Sequence, residues 1–181
     1  MAAKYLEQYD RMKRWYDRFA VLNQGRPHDM PSDNYLDEIY AFFMTCCHLK
    51  DWIKNDGTVA TAVKQAVEAL VPHRTLRQVK RDIKRKHSIV EAHNKSSRPL
   101  KLCTDICNSL KHLKPETVER QRSGESPEFG KKQFSLSLGT APPTINLKYE
   151  VTKATRSIDA FQLATDCVRA WDAFLNTNGL K

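Results

Sequence analysis

The 181-residue chain lacks any long apolar stretch. Its first twenty residues, MAAKYLEQYDRMKRWYDRFA, are polar and charged from the fourth residue onward. No segment approaches the about 18 consecutive apolar residues that a membrane-spanning helix requires. Apolar residues nevertheless make up 40% of the chain and charged residues 28%, which is typical of a globular protein. We therefore expect no membrane association, a cytoplasmic location, and one folded domain over residues 1–181.

The sequence also lacks the cysteine pattern of a disulfide-rich or zinc-binding protein. Its five cysteines are an odd number, and two of them, Cys46 and Cys47, are adjacent. Cys103 and Cys107 stand four apart among leucine and isoleucine residues, where cysteine commonly serves as a small apolar core residue. No C-x-x-C pair with a nearby histidine occurs. The pattern predicts reduced, buried thiols, with neither a metal nor a cofactor.

Motifs of several large enzyme classes are missing. The chain has no Gly-rich phosphate-binding loop, no G-x-S-x-G and no H-E-x-x-H. Internal repeats and low-complexity tracts are absent as well. These absences argue against P-loop nucleotide hydrolases, α/β-hydrolases and zinc proteases.

Acidic residues are scarce in one segment. The formal net charge is +9, and the segment from His73 to Lys101 carries ten basic residues against Asp82 and Glu91, or +8 of that total. At 100° per residue, five of the basic side chains share the face of a predicted helix opposite its apolar residues. This basic stripe consists of Arg74, Arg77, Arg81, Lys84 and Arg85.

A stripe of one charge sign repels itself, so folding alone gives no reason to build it. It would attract the phosphate backbone of RNA or of another polyanion, with an affinity that falls as salt rises. An acidic protein partner and a simply solvated helix face are the alternatives. Because no aromatic residues interleave the stripe, base stacking and sequence readout are not expected.

Apolar periodicity predicts a mainly α fold, a bundle of five or six helices with one β-hairpin before the C-terminal helix. The helix over 34–54 is apolar nearly all round, which indicates a central, buried position, and Ser32 or Asp33 is its expected N-cap. The hairpin is expected at about 131–152, after a loop over 116–130. The remaining helices are predicted over 3–22, 58–71, 74–94, 99–114 and 158–176.

The helix predicted over 99–114 carries the most informative polar residues. Its apolar face is expected to comprise Leu102, Cys103, Ile106, Leu110 and Leu113. Asp105, Asn108 and His112 project roughly 130–180° away from the centre of that face. Since Asn108 and His112 are four apart, their side chains are neighbours. We expect this pair to lie outside the core, facing solvent, a groove or another subunit.

The stretch CNSLKH, residues 107–112, resembles the R-N-x-x-x-H signature of the HEPN superfamily. That signature lies on a late helix of a small helical bundle. HEPN ribonucleases cut RNA without a metal and usually act as homodimers, often in toxin–antitoxin and phage-defence settings. The match covers Asn108 and His112, whereas Cys107 occupies the arginine position. The resemblance therefore implies an RNA-engaging homodimer, and a metal-independent ribonuclease if the chain is active.

The resemblance also implies roles for individual residues. His112 would be the general acid/base at the ribose 2′-hydroxyl or the leaving oxygen, because its unperturbed pKa lies near working pH. Asn108 would orient His112 or the phosphate, and Asp105 shares their face. A cysteine cannot supply the forked positive charge of the missing arginine, although Lys111 could replace it in part as a point charge. The alternative is a non-catalytic, degenerate HEPN module that docks an acidic partner.

His48 and Asp51 could support this face as a second layer of residues. They are three apart on the helix over 34–54, which would have to pack against the helix over 99–114. A four-ligand metal site formed with Asp105 and His112 is a further alternative, although the spacing does not require it.

Overall fold

The computed structural model describes residues 3–71, 97–111, 128–137, 143–153 and 156–181. The predicted basic stripe, His112 and Leu113 lie outside the described residues. Within those residues the fold is mainly α with a small antiparallel sheet, as the periodicity predicted. The elements are α1 (Lys4–Gln24), β1 (Arg26–Pro27), α2 (Ser32–Asn55), α3 (Thr61–Leu70), α4 (Arg98–Lys111), β2 (Glu128–Ser137), β3 (Thr144–Lys153), β4 (Arg156–Asp159) and α5 (Ala160–Thr177).

The central element of the bundle is α2. It packs against α1, α3, α4 and α5, and most of its large apolar side chains are inaccessible to solvent. Burying one such side chain contributes about 1.5–3 kcal/mol, so α2 supplies a large part of the core. The central position predicted from its all-round apolar pattern is confirmed. Its buried apolar residues are Tyr35, Ile39, Phe42, Phe43, Cys46, Leu49 and Ile53.

The sheet is organised around β3. One edge of β3 pairs with β2 along its whole length, from Thr144 opposite Ser137 to Thr152 opposite Glu128. The other edge pairs with β1 at its beginning and with β4 at its end. Every second residue of β3 is buried, which turns one face of the strand towards α1 and α5. These residues are Ile145, Leu147, Tyr149 and Val151.

The sheet is larger than the single hairpin predicted from the sequence. Residues 128–130 were expected to be loop and instead begin β2, while β1 lies between the helices predicted over 3–22 and 34–54, where no strand was predicted. Both corrections have one cause, because pairing with β3 satisfies backbone groups that carry no local strand signal. Gly25 makes β1 possible: its φ of 115° is open to glycine, and its amide ends α1 by donating to the Val21 carbonyl at 2.9 Å.

The beginnings of α2, α3 and α5 also differ from the prediction. Pro31, rather than Ser32 or Asp33, occupies the N-cap position of α2. α3 starts at Thr61 rather than Thr58, because the backbone amide and hydroxyl of Thr58 donate to the Asp56 carboxylate in the preceding turn, at 2.9 and 2.7 Å.

The start of α5 differs from the prediction because the residues just before it belong to the sheet. Arg156–Asp159 pair with β3, so α5 begins at Ala160 instead of residue 158. The Asp159 carboxylate then caps the helix, accepting from the amides of Phe161 and Gln162 at 3.0 and 2.9 Å. None of the described helices combines the length and the apolar content needed to span a bilayer.

Candidate functional site

The helix that carries the HEPN-like stretch, α4, packs against α2 and α5. Its core-facing side chains are Leu100, Cys103, Ile106 and Cys107. Leu110, which was expected on the apolar face, is 39% exposed, so that part of the prediction is wrong. The buried side of α4 is therefore rotated towards Cys107 compared with the face expected from the sequence.

Cys107 occupies the motif's arginine position and is completely buried. Its thiol lies beside that of Cys47 on α2, and the hydrogen bond between them, together with burial, raises the pKa of Cys47 above that of an ordinary thiol. A guanidinium placed here would enter the apolar core, where an unpaired charge is very unfavourable. The position before Asn108 thus faces the interior of the bundle rather than a substrate groove.

Asp105 was expected to project away from the core and is instead buried. The end of β3 covers it: Lys153 Nζ lies 2.8 Å from Asp105 Oδ2, with side-chain exposures of 31% and 12%. This contact cannot be predicted from the helical periodicity of α4, because Lys153 belongs to β3. The pair neutralises the carboxylate and ties the sheet to the polar side of α4.

Asn108 lies on that polar side and is half-buried. In the same turn, Ser109 Oγ donates to the backbone carbonyls of Asp105 and Ile106, at 3.1 and 2.9 Å. Asn108 is thus neither fully buried nor fully exposed, and its role at a site stays a prediction. The side chain of Lys111 and all of His112 lie outside the described residues, so their catalytic roles stay predictions.

The supporting residues on α2 are arranged only partly as expected. α2 does pack against α4, and His48 is half-buried with an interaction of its own, but Asp51 is exposed. In the described part of the chain, neither His48, Asp51 nor Asp105 belongs to a cluster of three or more possible metal ligands.

One cluster of metal-ligand side chains does occur in the described ranges, and the sequence analysis missed it. The thiols of Cys46, Cys103 and Cys167 meet in the core, each from a different helix. Their positions in the chain are far apart and follow no ligand-spacing pattern, so no local signal could have revealed the cluster. Each cysteine by itself reads as a small core residue, and that prediction is confirmed for all three.

An open pocket of about 500 Å³ lies between α1 and the segment that enters α2. Arg26 lies at its wall and is largely covered; its guanidinium donates to Glu38 at 2.9 Å and stacks over Tyr35 with a centroid distance of 5.3 Å. Asp29 adds a second carboxylate at 3.4 Å. Because these groups already engage the Arg26 charge, Arg26 is not available to bind an anion. Arg18 also lines the pocket, and its exposed guanidinium lies 3.8 Å from Glu38.

Comparison of the chain with protein-family models, with curated proteins and with solved structures finds no match. The HEPN resemblance therefore rests on residues 107–112, and the site argument rests on geometry and charge.

Proposed function

We propose that the protein binds RNA, or a comparable polyanion, through the basic stripe. The observation that carries this proposal is the concentration of charge, with +8 of the +9 net charge between His73 and Lys101. Backbone phosphates attract such a stripe regardless of sequence, and the release of their counterions favours binding. Arg98 is exposed at the start of α4, where this segment joins the described bundle.

The charge on α4 supports the same proposal. This helix contains three basic residues, Arg98, Lys101 and Lys111, and a single acidic residue. That residue, Asp105, is already neutralised by Lys153 at 2.8 Å. A phosphate group near Asn108 would therefore meet net positive charge, which attracts polyanions.

The proposed chemistry is metal-independent RNA cleavage centred on His112, in a homodimer of the HEPN type. His112 accepts the proton of the ribose 2′-hydroxyl, whose oxygen attacks the adjacent phosphorus. The bond from phosphorus to the 5′-oxygen breaks, a 2′,3′-cyclic phosphate forms, and the leaving oxygen takes up a proton. With Cys107 buried in place of the arginine, turnover is expected to be slow, because the motif itself then offers the phosphate no forked cation.

RNA binding is tested with a labelled single-stranded RNA and fluorescence anisotropy. The double substitution Arg77→Glu and Arg81→Glu should weaken binding by about tenfold or more, because it reverses two charges within the stripe. Arg14→Glu with Arg169→Glu is the matched control, since both side chains are exposed on other helices and the change in net charge is the same. If both variants lose the same amount of RNA affinity, the stripe contributes only through the net charge of the protein and is not the binding surface.

Cleavage is tested by incubating RNA with the protein in EDTA. His112→Ala should abolish cleavage and preserve RNA binding, whereas His73→Ala, outside the motif, should retain both. Cleavage that survives His112→Ala would remove His112 from the chemistry. A chromatographic measurement of molar mass, with and without RNA, tests the homodimer.

The burial of Cys107 favours a second candidate, a non-catalytic interaction module that docks an acidic protein through the same stripe. Its signature would be stoichiometric co-purification with an acidic protein and RNA binding that does not respond to the stripe substitutions. The anisotropy and cleavage experiments therefore separate the two candidates.

A further inference from the structure

Three thiols converge in the centre of the bundle. Cys46 comes from α2, Cys103 from α4 and Cys167 from α5, and their sulfur atoms all lie within 4.8 Å of one another. Their exposures are 0–1%, so the cluster is shielded from bulk solvent. Three sulfurs at metal–sulfur distances of about 2.3 Å around one ion would be about 4 Å apart. A small adjustment of the side chains would bring the thiols to that geometry.

An unpartnered polar group is directed at the same cluster. Trp171 Nε1 is buried and has no hydrogen-bond partner meeting ordinary geometry among the described residues. The indole N–H lies beside the sulfur of Cys46 and helps lower the pKa of that thiol. A buried N–H without a partner is unfavourable by about 1–3 kcal/mol, and an anionic sulfur would accept its hydrogen bond far better than a neutral thiol.

The pKa of Cys46 is lowered, whereas the pKa values of Cys103 and Cys167 are raised. Burial raises the pKa of Cys46, but hydrogen bonds with Cys103 and Cys167 and the nearby indole N–H of Trp171 outweigh it and leave that pKa below the ordinary value. The pKa of Cys103 is raised, first by its hydrogen bonds with Cys167 and Cys46, and burial raises that of Cys167. The case for a ligand at this cluster rests on the convergence of the three sulfurs and on the unpartnered indole N–H beside them.

We propose that Cys46, Cys103 and Cys167 form a three-coordinate binding site for a soft, thiophilic ion. Thiolate sulfur selects such ions over magnesium or calcium. Zinc is a poor fit, because structural zinc sites take four ligands and no fourth histidine, cysteine or carboxylate joins this cluster within the described ranges. Copper(I) and trivalent arsenic both accept three sulfurs, and the experiment below distinguishes them.

The two ions differ in their charge balance. Copper(I) replaces the proton of Cys46, which goes to solvent, and further proton loss from the other thiols would leave a net negative charge in the core. Arsenous acid instead exchanges its three hydroxyls for the three sulfurs; each hydroxyl leaves as water with the proton of one thiol, giving a neutral complex. Arsenic binding involves no net change in protons, so arsenic should stay bound as the pH falls. Copper(I) displaces a proton and should be released at low pH.

The experiment loads the ion while the chain folds, because the thiols are closed to solvent in the folded protein. Reduced protein is refolded anaerobically from urea with copper(I) in one arm and arsenite in the other. Loosely bound ion is then removed with a chelator or by gel filtration. We expect one tightly held ion per chain in at least one arm, with three sulfur neighbours in X-ray absorption. No retained ion in either arm, or a first shell other than three sulfurs, would overturn the proposal.

Substitutions assign the site. Cys167→Ala should abolish retention, and Cys47→Ala is the matched control, because Cys47 is a neighbouring thiol on α2 outside the cluster. Retention that depends on Cys47 rather than on Cys167 would also contradict the proposal. Because the wild-type protein alone gives the sulfur count, the result does not depend on whether Cys167→Ala folds.

Discussion

At the scale of single residues, Asp56 is one of the most connected side chains in the described bundle. One carboxylate oxygen accepts from the first amides of α1, Lys4 at 2.7 Å and Tyr5 at 3.3 Å. The other accepts from the amide and the hydroxyl of Thr58, at 2.9 and 2.7 Å. These hydrogen bonds, led by the Thr58 hydroxyl, lower the pKa of Asp56 to about 2. A residue that follows α2 thus caps the beginning of α1.

Asp56 should make the protein sensitive to acid. Its folded pKa of about 2 lies below the unfolded value of about 3.9, so its contribution to stability is complete above pH 4 and is lost as the pH falls towards 2. Asp56→Asn should lower the melting temperature at pH 7 and flatten the dependence of melting temperature on pH between about 4 and 2. Asp10→Asn, at an exposed position of α1, is the control. An unchanged acid profile in Asp56→Asn would contradict this role.

The Lys153–Asp105 pair predicts a second effect at the residue scale. Lys153→Met should lower the free energy of unfolding by about 1–3 kcal/mol, because it leaves a buried carboxylate without one of its charged hydrogen bonds. Urea denaturation measures the change. Lys148→Met, a half-buried lysine of the same strand, should have a smaller effect. If Asp105→Asn does not reduce the cost of Lys153→Met, the two side chains are not coupled.

The burial of a residue on α4 could be predicted from the sequence only where helical periodicity alone determines it. The burial of Cys103 and Ile106 follows from helical periodicity and was predicted correctly. The burial of Asp105 depends on Lys153 of β3, and the exposure of Leu110 depends on which helices lie beside α4. Both depend on the tertiary arrangement, which periodicity does not contain.

At the scale of elements, α3 is held to α2 by buried polar contacts. Lys50 Nζ donates to the Val71 carbonyl just after α3, at 2.6 Å, and to Glu68 at 3.2 Å. Lys54 reaches the same carboxylate at 2.6 Å. Burial alone would raise the pKa of Glu68, but the two lysines outweigh it and lower that pKa.

Loss of the Lys50 contacts should loosen α3 selectively. Lys50→Met should cost about 1–3 kcal/mol and speed hydrogen exchange in α3 more than in α1, because it leaves the Val71 carbonyl unpaired. Lys54→Met, at a more exposed pair, should cost less than about 1 kcal/mol. Equal effects of the two substitutions would show that the buried contact does not anchor α3.

Long elements were easier to predict than short ones. α1, α2 and α5 extend over five turns or more, so their apolar period located them to within a few residues. β1 and β4 have two and four residues, too few to display a period. They form because the second edge of β3 offers unpaired backbone groups, which only the folded sheet reveals.

At the scale of the whole molecule, the described apolar core and most of the net charge lie in different parts of the chain. The described bundle contains the core, while most of the net positive charge lies between His73 and Lys101. The composition therefore leads to the hypothesis of an electrostatic partner, which stays a prediction. It could not predict the thiol cluster, because Cys46, Cys103 and Cys167 meet only when three helices pack together.

The most direct test of polyanion binding is the dependence of RNA affinity on salt. If all five stripe residues contact phosphates of a single-stranded RNA, log K should fall with log salt with a slope of about −3.5. Arg77→Ala with Arg81→Ala should reduce its magnitude by about 1.4, because two contacts are lost. Arg14→Ala with Arg169→Ala should leave the slope unchanged. A flat wild-type salt dependence, or the same slope in all three proteins, would contradict binding through the stripe.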